Sequence, residues 1–191
     1  MTSQNDFLKK LIKLLDDCSV PYMISGSFGS SYHGQPRATN DLDIVIAPAE
    51  KQLLTFVESF GVDYYVSLEA ARDAFANKSM FNIIDSLSGW KADFILRKTR
   101  AFSRREFERK RVARIGGIDV WVTSPEDVIL SKLEWSKAGQ SERQFRDALG
   151  VAVVQWKHLD QEYLEKWAKE LQVEDSLKEV LEQARRLMKA E

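Results

Sequence analysis

Asp41 and Asp43 flank Leu42, and Ile44 follows, a spacing that admits few local structures. In a strand, alternation turns both acids to one face and Leu42 and Ile44 to the other. The apolar face needs a core, while the acidic face carries two adjacent carboxylates that repel each other. Unless they share a proton, such a pair calls for a divalent cation, and hard oxygen donors suit magnesium or manganese.

Gly26-Ser27 precedes Asp41 with thirteen residues between. Residues 21–25 read as a short buried strand, so residues 26–34 form a turn entering a short helix. A Gly-Ser turn at a helix start offers an anionic substrate backbone N–H groups, a hydroxyl and no Cβ in the way of a phosphate. A third acid, Asp93, lies among apolar neighbours in Trp90-Lys91-Ala92-Asp93-Phe94-Ile95. An unpaired carboxylate is costly there. Asp93 therefore either joins Asp41 and Asp43 around metal or pairs with Lys91 or a nearby arginine. Three carboxylates can hold two ions roughly 3.5–4 Å apart, one activating the attacking oxygen and one stabilising leaving pyrophosphate.

Helical spacing of Phe7, Leu8, Leu11, Ile12, Leu14 and Leu15 predicts an opening helix capped by Asn5 or Asp6. Strands are expected at 42–46, 62–66, 81–85 and 92–96, and helices at 48–60, opened by Pro48, and at 69–76. Gly116-Gly117 between apolar runs predicts a hairpin over 111–122. From Ser124-Pro125-Glu126-Asp127, a capped helix start, helical periodicity takes over, with helices at 128–137, 142–156, 161–171 and 177–188. The expected organisation is a mixed α/β core over 1–123 and a helical domain over 124–191.

Composition sets outer bounds. The 191 residues are 44% hydrophobic with a net charge of -1, enough for a sizeable core and too neutral for nucleic-acid binding by bulk charge. The single cysteine cannot form an internal disulfide, so a reducing, cytoplasmic setting is the default. Lysines and aspartates interrupt the first residues and no run of eighteen apolar residues occurs, so neither a secretory leader nor a membrane partner is expected.

Gly26, Ser27, Asp41, Asp43 and Asp93, in that order, resemble the pattern of the DNA polymerase β-like nucleotidyltransferase superfamily: a Gly-Gly or Gly-Ser turn, a spacer, Asp-apolar-Asp-apolar, then a later Asp. The lead-in Arg37-Ala38-Thr39-Asn40-Asp41 is similar to the Arg-x-Thr-x-Asp form of small bacterial members, among them the abortive-infection (AbiEii) toxin-type proteins and minimal nucleotidyltransferases. The segments 124–135 and 141–147 resemble the toxin-type branch, in which a lysine and an aspartate of this region belong to the active site. The resemblance spans residues 20–150 and departs where Ser27 replaces the second glycine. It implies an α+β fold, a nucleotidyltransferase-type mixed sheet with flanking helices followed by a C-terminal helical bundle. It also implies a Mg²⁺- or Mn²⁺-dependent transfer of a nucleoside monophosphate from an NTP to an acceptor hydroxyl. Asp41, Asp43 and Asp93 are then catalytic metal ligands, and Gly26, Ser27, Lys132 and Asp147 bind nucleotide. The acceptor is a small molecule, a tRNA or a protein, and a cognate antitoxin is a further partner. The alternative is a catalytically degenerate module that binds nucleotide or nucleic acid, against which the intact carboxylates count.

Several of these residues have a plainer reading. Lys132 projects along the inward stripe of its helix, either toward phosphates or snorkelling to water. Asp147 follows Arg143 by four residues, the spacing of a surface pair. His33 reads as a structural histidine, and Trp135, Trp156, Trp167, Tyr163 and Leu164 as core of the bundle. Residues 97–114 carry nine basic side chains against Glu106 and Glu108, a balance of +7 in a chain whose remainder sums to -8. That strip either holds a triphosphate or RNA, or is a solvated helix face docked on the acidic bundle.

Overall fold

The computed structural model describes residues 3–36 and 41–190. In chain order the elements are α1 (Gln4–Asp17), β1 (Tyr22–Ile24), α2 (Gly26–His33), β2 (Asp41–Ile46), α3 (Glu50–Glu58), β3 (Tyr64–Val66), α4 (Leu68–Asn77), β4 (Met80–Asp85) and β5 (Lys91–Leu96). There follow α5 (Ala101–Glu108), β6 (Arg111–Ile115), β7 (Ile118–Val122), α6 (Pro125–Gly139), α7 (Glu142–Gln155), a 3-10 turn (Trp156–His158), α8 (Gln161–Leu171) and α9 (Glu174–Ala190). This is the expected α+β architecture. The chain forms two compact units, Met1–Ser25 with Thr39–Val122, and Gly26–Ala38 with Thr123–Glu191.

The first unit holds a seven-stranded mixed sheet in the order β3-β4-β5-β2-β1-β7-β6. β2 runs parallel to β5 and β1 to β7, and the other pairs are antiparallel. Register sets Leu42, Ile44 and Ile46 opposite Ala92, Phe94 and Leu96, all buried, as the core face. Phe94 anchors an aromatic cluster there, its ring 5.2 Å from Phe56 of α3 and 5.4 Å from Phe81. Rings at such spacing add about 0.5–1.5 kcal/mol per pair beyond their buried area.

Local chemistry moves some boundaries. The cap of α1 is Ser3, not Asn5 or Asp6: its hydroxyl accepts from the Asp6 N–H while the Asp6 carboxylate accepts from the Ser3 N–H. Pro48 precedes α3 instead of opening it, because the chain is still extended where the Ala47 N–H donates to the Pro21 carbonyl. α5 arises in the basic stretch, where Phe102 and Phe107 supply a buried stripe that dense charge obscures.

The β6–β7 hairpin turns where expected, with Gly116 at φ +57° and Gly117 at φ +86°. Both angles are left-handed, as a two-residue hairpin loop matched to strand twist requires. Gly117→Ala should cost about 1 kcal/mol, since a Cβ is strained at that φ although nothing else crowds it. Chemical denaturation of the variant measures this, and an unchanged midpoint would contradict it.

The second unit is helical. The Ser124 hydroxyl caps α6 by accepting from the Asp127 N–H, with Pro125 in the first turn, as the sequence predicts. α2 belongs to this unit, so the division differs from the expected 1–123 and 124–191. Its small residues explain this: Gly29 and Ser30 are buried, and a Cβ on Gly34 would lie 2.9 Å from the Val151 backbone nitrogen of α7. Tyr163, Leu164 and Trp167 are core, but Trp135 is 65% exposed and Trp156 half-buried. The buried stripe of α6 ends at Leu133, and two residues further along a helix lies roughly 200° around its axis. Among the described residues, no helix is long and apolar enough to cross a membrane.

Candidate active site

On the face of the first unit's sheet opposite Phe94, β2 and β5 present their polar side chains in register. Asp43 lies directly opposite Asp93, Asp41 opposite Lys91, and Asn82 of β4 opposite Asp93 on its other side. Neighbouring strands are about 4.8 Å apart, so the three acids of the sequence reading share one small area of sheet. Asp41 is exposed, Asp43 half-buried and Asp93 buried.

Asp93 is the unusual member. Its Oδ1 is buried without a hydrogen-bond partner, and its Oδ2 accepts the Lys91 ammonium at 3.0 Å. An orphaned carboxylate oxygen in a buried position costs free energy unless something binds it. Lys91 Nζ is also 4.0 Å from Asp41 Oδ1. The hydrogen bond to Asp93, with the charges of Asp93, Asp41 and Asp43, holds the Lys91 ammonium above the usual lysine pKa against the opposing effect of burial. The side chains do not converge: among the described residues, no three His, Cys, Asp or Glu gather closely enough to ligate one ion. The oxygen donors suit a hard divalent cation, and Asp93 Oδ1 is available to one, provided the Lys91 ammonium yields.

Gly26, at φ +58°, and Ser27 are the first two residues of α2, both half-buried. The preceding Ser25 N–H donates to the Asp43 carbonyl at 2.9 Å. Ser30 Oγ donates to the Ser27 carbonyl at 3.0 Å, and His33 Nε2 lies 2.7 Å from the Thr123 carbonyl, the structural histidine anticipated. Arg37, Ala38, Thr39 and Asn40 of the lead-in lie outside the described residues.

Lys132 and Asp147 meet across α6 and α7. Lys132 Nζ donates to Asp147 Oδ2 at 2.9 Å, with side chains 5% and 10% exposed. The lysine is inward, as its helical position predicts, and it is neither snorkelling nor alone. Asp127, wholly buried in the first turn of α6, accepts from the Tyr163 and Ser124 hydroxyls at 2.6 and 2.7 Å. The sequence marked Lys91 only as an ion-pair partner of Asp93, the pairing observed here, and left Asn82 unmarked. Lys91 carried a signal, two positions before Asp93 on the same strand face, whereas Asn82 carried none because only strand pairing sets it there.

No protein-family model and no curated protein matches the chain. Solved structures do. The solution structure of the antibiotic-resistance factor ANT(2'')-Ia superposes with a TM-score of 0.56 at 12% identity, over 98% of this chain and 98% of that one. The crystal structure of ANT(2'')-Ia in complex with adenylyl-2''-tobramycin gives 0.56 at 14% identity, over 88% and 97%. An antigenic nucleotidyltransferase-like protein from Paracoccidioides brasiliensis gives 0.57 at 17% identity, over 93% and 91%. The chain therefore has a fold shared with nucleotidyltransferases.

Proposed function

We propose that this protein is a metal-dependent nucleotidyltransferase that moves a nucleoside monophosphate from an NTP to an acceptor hydroxyl and releases pyrophosphate. The observation that carries the reading is the register of Asp41, Asp43 and Asp93 on one sheet face, with Asp93 Oδ1 buried and unpartnered. Asp41 and Asp43 would bind two Mg²⁺ or Mn²⁺ ions, and Asp93 would share one of them. The bound cations supply charge neutralisation for carboxylates and phosphates. On the sequence resemblance alone, Gly26 and Ser27 would hold the β and γ phosphates, and Lys132 and Asp147 would take part in nucleotide binding. The acceptor oxygen forms a bond to the α-phosphorus as the bond to the β-phosphate oxygen breaks, the electron pair leaving with pyrophosphate. By sharing a cation, Asp93 would favour deprotonation of that hydroxyl.

The toxin-type branch, a cognate antitoxin and a cytoplasmic setting belong to the same proposal and rest on the sequence. ANT(2'')-Ia is bound to adenylyl-2''-tobramycin, which supports a small hydroxylated acceptor here. Calorimetric titration of ATP, CTP, GTP and UTP with and without Mg²⁺ tests the reading, followed by mass spectrometry of cell extract incubated with the labelled nucleotide. No NTP binding with either Mg²⁺ or Mn²⁺ would overturn it.

One observation favours a non-catalytic nucleotide-binding module instead: the Lys91 ammonium already neutralises Asp93 and lies near Asp41. The two readings diverge for Lys91→Met. With a metal site, losing the tethered cation should raise Mn²⁺ affinity severalfold, because the carboxylates are left to repel one another. A Mn²⁺ titration followed by electron paramagnetic resonance reads this directly. Absence of Mn²⁺ binding in both parent and variant supports the non-catalytic module.

A further inference from the structure

The sheet's β6 edge carries two exposed apolar side chains side by side: Val112 is 58% exposed and Trp121, directly opposite on β7, 39%. Lys110 fixes this patch in place. Its ammonium lies 4.3 Å from the Phe107 ring centre and 5.2 Å from that of Trp121, and donates to the Tyr22 carbonyl at 3.1 Å. One lysine thus ties the C-terminal end of α5 to the indole. On the same strand face as Val112 and Trp121 lies Arg114, and Arg104 and Arg105 of α5 are exposed. Arg105 pairs with Glu108 at 3.5 Å and Arg114 with Asp119 at 3.1 Å, but all four side chains are at least 49% exposed, and such pairs are weak. Residues 97–114 as a whole carry nine basic side chains against two acidic ones, in a chain whose other residues are net acidic.

We propose that this face, formed by β6, β7 and the end of α5, binds single-stranded nucleic acid. An exposed indole beside Lys110 and within a basic segment complements a ligand that alternates flat apolar rings with phosphates, because bases stack on the ring while basic side chains neutralise the backbone. An acidic protein would satisfy the arginines and leave Trp121 and Val112 in water. A duplex would meet the charge but keep its bases stacked away from the indole. The inference stands apart from the transfer reaction, since it uses none of the residues proposed for it.

The test is fluorescence anisotropy with a labelled oligouridine RNA over a range of salt concentrations. The parent should bind with affinity falling by roughly 0.7 log units per phosphate contact for each tenfold rise in salt. Trp121→Ala should weaken binding about tenfold with an unchanged salt slope, and Trp121→Phe, which keeps an aromatic face, should stay near the parent. Arg104→Glu with Arg105→Glu should flatten the slope, with thermal melting confirming that each variant folds. The inference is overturned by absence of binding, by a Trp121→Ala variant indistinguishable from the parent, or by polyglutamate or duplex RNA competing as well as single-stranded RNA. The polyglutamate result would assign the face to acidic proteins.

Discussion

Asp43→Asn and Asp93→Asn are each expected to reduce nucleotidyl transfer by about 10²–10³-fold or more while the protein stays folded, since each removes a charge that acts where the reaction's charge develops. The two should differ in stability. Asp43 is half-buried and directly opposite Asp93, so its neutralisation relieves repulsion between them. Asp93 is 8% exposed and accepts the Lys91 ammonium at 3.0 Å, so its neutralisation weakens a partly buried ion pair. Thermal melting should place Asp93→Asn below the parent and Asp43→Asn at or above it, with turnover of labelled NTP lost in both. Retention of activity within a few-fold by both variants would end the metal-site reading.

Lys132→Ala is expected to cost about 3–5 kcal/mol, because it leaves the Asp147 carboxylate buried without its counter-charge. Lys132→Met should be destabilising for the same reason, even though it keeps the chain's volume. Combining Lys132→Met with Asp147→Leu should restore most of the loss, since replacing a whole buried pair by apolar side chains is often neutral or stabilising. Denaturant titration of the three variants measures this. The double variant also isolates the functional question: a stable protein that binds NTP like the parent would make the pair purely architectural, whereas weakened NTP binding would support its place in the nucleotide site.

How much of this was legible in the chain depended on the range of each interaction. The turn at Gly116-Gly117, the Ser124 cap and the alternation at 41–44 are decided within a few residues, by φ preference, a hydroxyl within reach of an N–H, and the period of a strand. Those features were readable directly, and with them the facts that Asp41 and Asp43 share a face and that Lys132 points inward. Asp93 opposite Asp43 is different, because fifty residues of chain separate them and only the parallel pairing of β2 with β5 brings them into register. The same holds for Asp147, which by spacing suits Arg143 and by structure meets Lys132 across two packed helices. Trp135 shows the converse failure, an apolar residue at plausible helical spacing that the end of the buried stripe of α6 leaves in water. α2 follows β1 immediately in the chain yet belongs to the helical unit, because Gly29, Ser30 and Gly34 permit close packing on α7. A sequence pattern specifies which side of an element a residue occupies, since that is set by local geometry. Which partner it meets there was decided only by strand register and helix packing, which join positions far apart in the chain.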